Sequence, residues 1–269
     1  MPHIQAGDIR LKYIEHGTGK NIVVFIHGNL GCIEWMNLVF PLLPEEIHIY
    51  AFDWRGCGDS DKPEPKQDYL NYSMKQHALD MINAIKALGI KKCSLANHST
   101  GGIICTYMLL LEPDMFEKVF CLDPVSPLGL LLPPEADELF KAMKTDKSIA
   151  FAGLASAAPT LFKPESLAPG QTPEFQSGAS PEQQKLFRLL VDKTQSLSDG
   201  IWFGTGFHLK KEYESGELKS QIKNLKQKHF ILWGEMDYWI PRNDIEYMAN
   251  NLPHAELKIL SYVGHTCNI

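Results

Sequence analysis

Short runs of apolar residues alternate along this chain with segments whose apolar positions recur every three or four residues. The runs fall at residues 21–27, 47–53, 93–98, 119–123, 229–233 and 256–263. Runs of this length between turn residues read as strands buried on both faces, and the periodic segments between them as crossover helices of a parallel sheet. Helical periodicity covers residues 33–43, 73–88, 100–111 and 244–252, and residues 9–13 supply a strand expected to start the sheet antiparallel. Ser73 is placed to cap the second of these helices and Leu88-Gly89 to end it. The pattern predicts an α/β fold with a mostly parallel central sheet flanked by helices.

The alternation breaks after Asp123, where a long stretch rich in Pro, Ala, Ser and Leu precedes the next strand pattern. A structureless loop of that length is implausible inside a compact domain. Amphipathic stretches at 135–144 and 181–194, with a third near 149–155, predict a helical insertion instead. In the second of these, Leu186, Leu189 and Leu190 share one stripe and Lys193 lies at its edge. The expected organisation is a core of residues 1–123 and 219–269, with residues 124–218 inserted after the sixth strand as a helical lid. The run at 168–173 is a loop, and no internal repeat is present.

Composition narrows the function classes. The chain has 269 residues, 44% hydrophobic and 22% charged, a balance that supports a soluble globular protein with a large core. Acidic residues outnumber basic ones 32 to 26, for a net charge of −6. The basic residues are scattered apart from Lys219, Lys223, Lys226 and Lys228, which read as the wet face of a helix, so no nucleic-acid partner is expected. Cys32, Cys57, Cys93, Cys105, Cys121 and Cys267 form no CxxC pair, which points to a reducing compartment. The first residues hold neither a basic n-region nor an apolar h-region, and no run approaches the ~18 apolar residues that cross a bilayer. A cytoplasmic protein with no membrane partner is expected; oligomeric state is not encoded in the pattern. No His/Cys/Asp/Glu spacing suggests a metal, and Arg55-Gly56-Cys57-Gly58 lacks the strand-turn-helix setting of a dinucleotide site, so no cofactor is expected.

The chemistry concentrates at Asn97-His98-Ser99-Thr100-Gly101-Gly102, between a predicted strand and a predicted helix. A nucleophile elbow needs that setting, because a sharp turn exposes the serine hydroxyl and small neighbours let strand and helix approach. Asn97 departs from the usual Gly-x-Ser-x-Gly by replacing its first glycine. Upstream, Phe25-Ile26-His27-Gly28-Asn29 ends a strand. Downstream, Trp233-Gly234-Glu235-Met236-Asp237 ends one with an acid and Val263-Gly264-His265 ends the next with a histidine. Serine, acid and histidine follow in the order that an α/β-hydrolase requires.

On these motifs the chain resembles the lidded members of the α/β-hydrolase superfamily, from the His27-Gly28 turn to His265. Phe52-Asp53-Trp54-Arg55-Gly56-Cys57-Gly58-Asp59-Ser60 is similar to that family's D-x-R-G-x-G-x-S loop. The resemblance implies Ser99 as nucleophile, His265 as general base, Asp237 as triad acid, and the amides of Asn29 and Thr100 as the oxyanion hole. Asp123 is the alternative acid, at a strand end some members use; Gly234 and Pro241 frame Asp237 as in the commoner arrangement. The His27-Gly28-Asn29 turn also resembles that of haloalkane dehalogenases, but those enzymes and the related epoxide hydrolases need a carboxylate where this chain has Ser99. Members normally continue into a final helix packed on the sheet, whereas this sequence stops at Ile269, which leaves a shortened chain or a face covered differently.

His98 is expected to pack under the elbow, and Glu235 and Asp59 to be solvated. Trp35, Trp202, Phe203 and Phe207 are candidates to line an apolar substrate pocket. The implied activity is cofactor-free cleavage of a small-molecule carboxylic ester or lactone through an acyl-enzyme. The leucine-rich lid favours a bulky apolar ester, with a macrolactone as one such substrate. A carbon–carbon bond hydrolase acting on a diketone or a thioesterase would keep the same triad, and a non-catalytic receptor for a small ligand would use only the pocket.

Overall fold

The computed structural model describes residues 2–269. Eight strands form one sheet in the order β1-β2-β4-β3-β5-β6-β7-β8. β1 (His3–Ala6) and β2 (Ile9–His16) form a hairpin through Gly7, and β2 runs antiparallel to β4 (Ile47–Phe52). From there β3 (Asn21–Ile26), β5 (Cys93–His98), β6 (Phe116–Leu122), β7 (Lys228–Gly234) and β8 (Ala255–Leu260) are parallel. The sheet class is as the hydrophobic pattern predicts. β1 is additional to it, and β8 stops at Leu260, three residues short of the predicted run, before Tyr262 turns the chain at φ 59°.

Helices α1 (Met74–Ala87) and α2 (Gly101–Leu111) cover one face, where Ile82, Ile85, Ile103 and Ile104 are buried with Leu95. Ser73 caps α1 as expected, its hydroxyl accepting the Gln76 amide at 3.2 Å. On the other face the predicted helix at 33–43 is instead two short 3-10 turns, Ile33–Met36 and Phe40–Leu42. Two local causes account for this: Pro41 cannot continue a helical hydrogen-bond ladder, and the Asp53 carboxylate holds the Ile33 amide at 2.9 Å. Ile33, Met36 and Phe40 still bury their apolar side chains against Val23, Phe25, Ile49 and Ala51.

Between β6 and β7 lie α3 (Ala136–Thr145), α4 (Lys147–Ala157), α5 (Pro181–Thr194), α6 (Thr205–Ser215) and the short α7 (Glu217–Gln221). Ser180 and Gln183 form a capping box on α5, whose Leu186 and Leu190 pack against Cys32 and Trp35. Lys193 at the edge of that stripe pairs with Glu34 at 3.3 Å. A π turn at Gly200–Gly204 leads into α6, which the sequence pattern does not reveal. α8 (Arg242–Asn251) follows β7. Lys219, Lys223, Lys226 and Lys228 are all exposed, but they are spread over α7, a 3-10 turn, a connecting segment and β7 rather than along one helix. The cysteines are unpaired, five of them buried.

Candidate active site

Residues of interest cluster where β3, β5, β6, β7 and β8 end, the side of an open parallel sheet on which ligands bind. Ser99 turns the chain from β5 into α2 with φ 53°, a left-handed conformation rare for a residue with a side chain. Close backbone approach holds the turn. A Cβ on Gly28 would lie 2.8 Å from the Ser99 Cβ, one on Gly101 would overlap the Ile26 carbonyl, and one on Gly102 would lie 2.7 Å from Val125 O. The Ser99 carbonyl accepts from Gly102 N at 2.9 Å and Val125 N at 2.8 Å.

Asn97 stays within β5, opposite Ile26 and Cys121, so the left-handed residue is Ser99 and not its neighbour. Its amide is fully buried and Nδ2 donates to Cys121 Sγ at 3.4 Å. The extra bulk at this elbow is therefore directed towards β6 and the start of α2, away from the turn.

Ser99 Oγ lies 2.9 Å from His265 Nε2, and His265 Nδ1 lies 2.8 Å from Asp237 Oδ2. With Nδ1–H donating to the carboxylate, Nε2 is left as the acceptor of the serine hydroxyl. Asp237 Oδ1 accepts the amides of Trp239 at 2.7 Å and Ile240 at 3.0 Å. The Trp239 ring stacks on His265 with centroids 5.9 Å apart, a contact without a signal in the sequence beyond its place two residues after Asp237.

Asp123, the alternative acid, makes neither of these contacts. It is buried at φ 45°, its Oδ1 accepts Gly234 N at 2.7 Å, and its Oδ2 has no partner among the described residues. Burial, opposed by the nearby His265 charge, pushes its carboxyl up to about 7.

His27 is buried against Trp54, its Nδ1 donating to Gly28 O at 2.8 Å while Nε2 accepts the Trp54 amide at 3.4 Å. Burial pushes its imidazole down to about 4. Leu30 completes this turn at φ 54°. Asn29 and Thr100 both border the cavity beside Ser99, and among the described residues neither backbone amide donates to a protein acceptor. His98 lies under the elbow as expected: its ring packs between Trp35 and His265, and Nε2 donates to the His265 carbonyl at 2.8 Å. Burial drives His98 down to about 3, which leaves it a neutral donor.

The cavity over Ser99 is narrow, about 50 Å³, room for a few waters. Its walls are apolar, with Trp35 and Trp239 from the strand-end loops and Leu132, Phe140 and Leu154 from the segment after β6. Of the four aromatic pocket candidates, Trp35 borders this cavity and Trp202, Phe203 and Phe207 do not. Trp202 is fully buried beside Phe140, and Phe203 and Phe207 border a separate groove with Tyr69 and Leu132. Glu235 is exposed as expected, whereas Asp59, also exposed, is not simply solvated: it accepts from the buried Lys12 at 2.9 Å.

No group of His, Cys, Asp and Glu among the described residues has the arrangement of a metal site. Nor is any of their helices long and apolar enough to cross a membrane.

The model of the alpha/beta hydrolase fold family matches residues 21–269, which spans every element of this site. The chain belongs to the α/β-hydrolase family. Among the relatives of this α/β-hydrolase is the soluble epoxide hydrolase of Corynebacterium sp. (strain C12), 29% identical over 119 residues. That match covers 44% of this chain and only 40% of the relative. Similar solved structures include the enol-lactonase from Burkholderia xenovorans LB400, with a TM-score of 0.75 at 16% identity, covering 100% of this chain and 94% of that one. An esterase (EaEST) from Exiguobacterium antarcticum has a TM-score of 0.74 at 22% identity, covering 98% and 91%. At these identities the structures share the hydrolase fold with this chain; what each acts on belongs to each.

Proposed function

We propose that this α/β-hydrolase is a serine hydrolase of carboxylic esters, lactones included. The observation that carries the reading is the unbroken hydrogen-bond chain from Ser99 through His265 to Asp237. In this mechanism His265 Nε2 takes the Ser99 proton as Oγ attacks the ester carbonyl, and the alkoxide leaves with that proton. Water, deprotonated by the same nitrogen, then releases the acid from the acyl-enzyme. Asp237 fixes the imidazole tautomer and stabilises the imidazolium. The free amides of Asn29 and Thr100 stabilise the oxyanion, a contribution of ~10²–10³ in rate for each such donor. A hydroxyl rather than a carboxylate at the elbow favours acyl transfer over epoxide or carbon–halogen chemistry.

On this reading residues 124–218 act as the lid, since Leu130, Leu132, Phe140, Leu154 and Ala157 close the cavity from that segment. A space of about 50 Å³ favours a slim reacting group over a macrolactone. Ser99→Ala is expected to lower hydrolysis of p-nitrophenyl acetate by a factor of about 10⁴ or more and to abolish labelling by a fluorophosphonate. Undiminished turnover in that variant would overturn the mechanism.

A further inference from the structure

Outside the cavity, on the surface of the segment after β6, lies a groove of about 570 Å³ bordered by Tyr69, Leu132, Phe203, Gly206 and Phe207. Leu132 borders both spaces and is the partition between them. It rests on Gly206, where a Cβ would come within 3.1 Å of Leu132 Cδ1 and 3.9 Å of Phe140 Cε2. A glycine in a helix costs stability relative to alanine; here its lack of a side chain lets Leu132 pack directly on the helix backbone.

The groove wall is held in a costly conformation. Asp68 and Tyr69 are consecutive residues in the left-handed region, at φ 52° and 51°, a state that persists only where surroundings impose it. Two contacts impose it. The buried His208 donates from Nε2 to Tyr69 O at 3.0 Å, and Gly204 lies so close that a Cβ there would sit 2.8 Å from Tyr69 Cβ. The result presents the Tyr69 ring towards Phe207, centroids 6.0 Å apart, with Phe207 still 41% exposed. Lys141 and Lys210 stand at the groove margin with Asp137 and Asp199, so the border carries both signs and the aromatic rings supply the contact.

We propose that this groove is a second substrate subsite, holding the aryl- or alkyl-terminated tail of an ester whose carbonyl reaches Ser99 past a displaced Leu132. The inference rests on Ser99 being the reacting residue, and it assigns the substrate class: esters with a slim linear portion at the carbonyl and an apolar end beyond it. Aromatic side chains suit such a tail, because they offer large apolar faces at little entropic cost.

The test measures binding and turnover separately. Ser99→Ala protein is titrated by calorimetry with phenyl-terminated methyl alkanoates of increasing chain length. Affinity should rise once the tail spans the partition. Phe207→Ala, an exposed substitution that spares the core, should then weaken binding of the longest ester about tenfold while leaving methyl phenylacetate within twofold. Leu132→Trp should abolish the gain with length. Affinity independent of length, or unchanged by both substitutions, would overturn the subsite. If binding depends on Phe207 but the unsubstituted enzyme cleaves none of these esters, the subsite stands and the hydrolase reading falls. Intact turnover with Phe207 and Leu132 irrelevant to every ester removes the subsite alone.

Discussion

Two aspartates end neighbouring strands here and differ in what surrounds them. Asp237 accepts three hydrogen bonds, from His265, Trp239 and Ile240, whereas Asp123 accepts one and keeps an oxygen buried without a partner. Asp237→Asn should reduce kcat by roughly 10³–10⁴, since the amide cannot hold the imidazole in the required tautomer. Asp123→Asn should cost less than about tenfold, its amide oxygen still able to accept Gly234 N. Its signature is in stability. The Asp123 carboxyl is raised from 3.8 to about 7, so the folded chain keeps a proton that the unfolded chain releases near pH 4. The folded state therefore loses stability through this group as pH rises from about 4 to about 7, with no further loss above that. Thermal unfolding across that range should show Asp123→Asn gaining Tm relative to the unsubstituted protein up to pH 7 and then holding a constant difference.

At the scale of elements, Ser99 is placed by how closely β3, β5 and the start of α2 approach. Gly101→Ala would push a methyl group into the Ile26 carbonyl of β3. Separating helix from strand should destabilise the fold by about 1–3 kcal/mol, in the manner of overpacking, and lower kcat/KM with Ser99, His265 and Asp237 all unchanged. Urea unfolding and esterase assays on one preparation would check both. The strands were legible because buried parallel strands are continuous apolar runs, and the order of Ser99, Asp237 and His265 because each follows such a run. His3–Ala6 escaped because an edge strand of four residues mixes polar and apolar positions. Residues 200–215 escaped because Gly200, Gly204 and Gly206 interrupt the spacing and the charged KKEYES end carries no stripe. For the same reason the sequence could name Phe203 and Phe207 as pocket candidates but not the groove that they border. Trp239 lay beyond reach because its stacking on His265 depends on the turn after Asp237, which no periodicity encodes.

Across the whole molecule, one buried cation ties distant parts of the chain together. Lys12 of β2, with 1% of its side chain exposed, meets Asp59 at 2.9 Å, Glu34 at 3.2 Å and Asp53 at 3.9 Å. Lys193 of α5 reaches the same Glu34 from the segment after β6. Burial lowers the Lys12 pKa, yet the surrounding carboxylates outweigh it and hold the ammonium above its ordinary range. Lys12→Met would leave Asp53 and Glu34 facing each other without that charge. Removing one partner of a buried ion cluster costs ~3–5 kcal/mol; the exposure of Asp59 places this case near the lower end. Chemical denaturation should show that loss as a lower midpoint at unchanged slope.

The left-handed backbone of Ser99 has a further consequence for evolution in the laboratory. A residue with a Cβ held at φ 53° stores of order 1–3 kcal/mol of strain, and glycine at that position would be relieved of it. Selection for heat resistance alone therefore pulls against the hydroxyl, and thermostable descendants of this chain need activity in the screen to keep it.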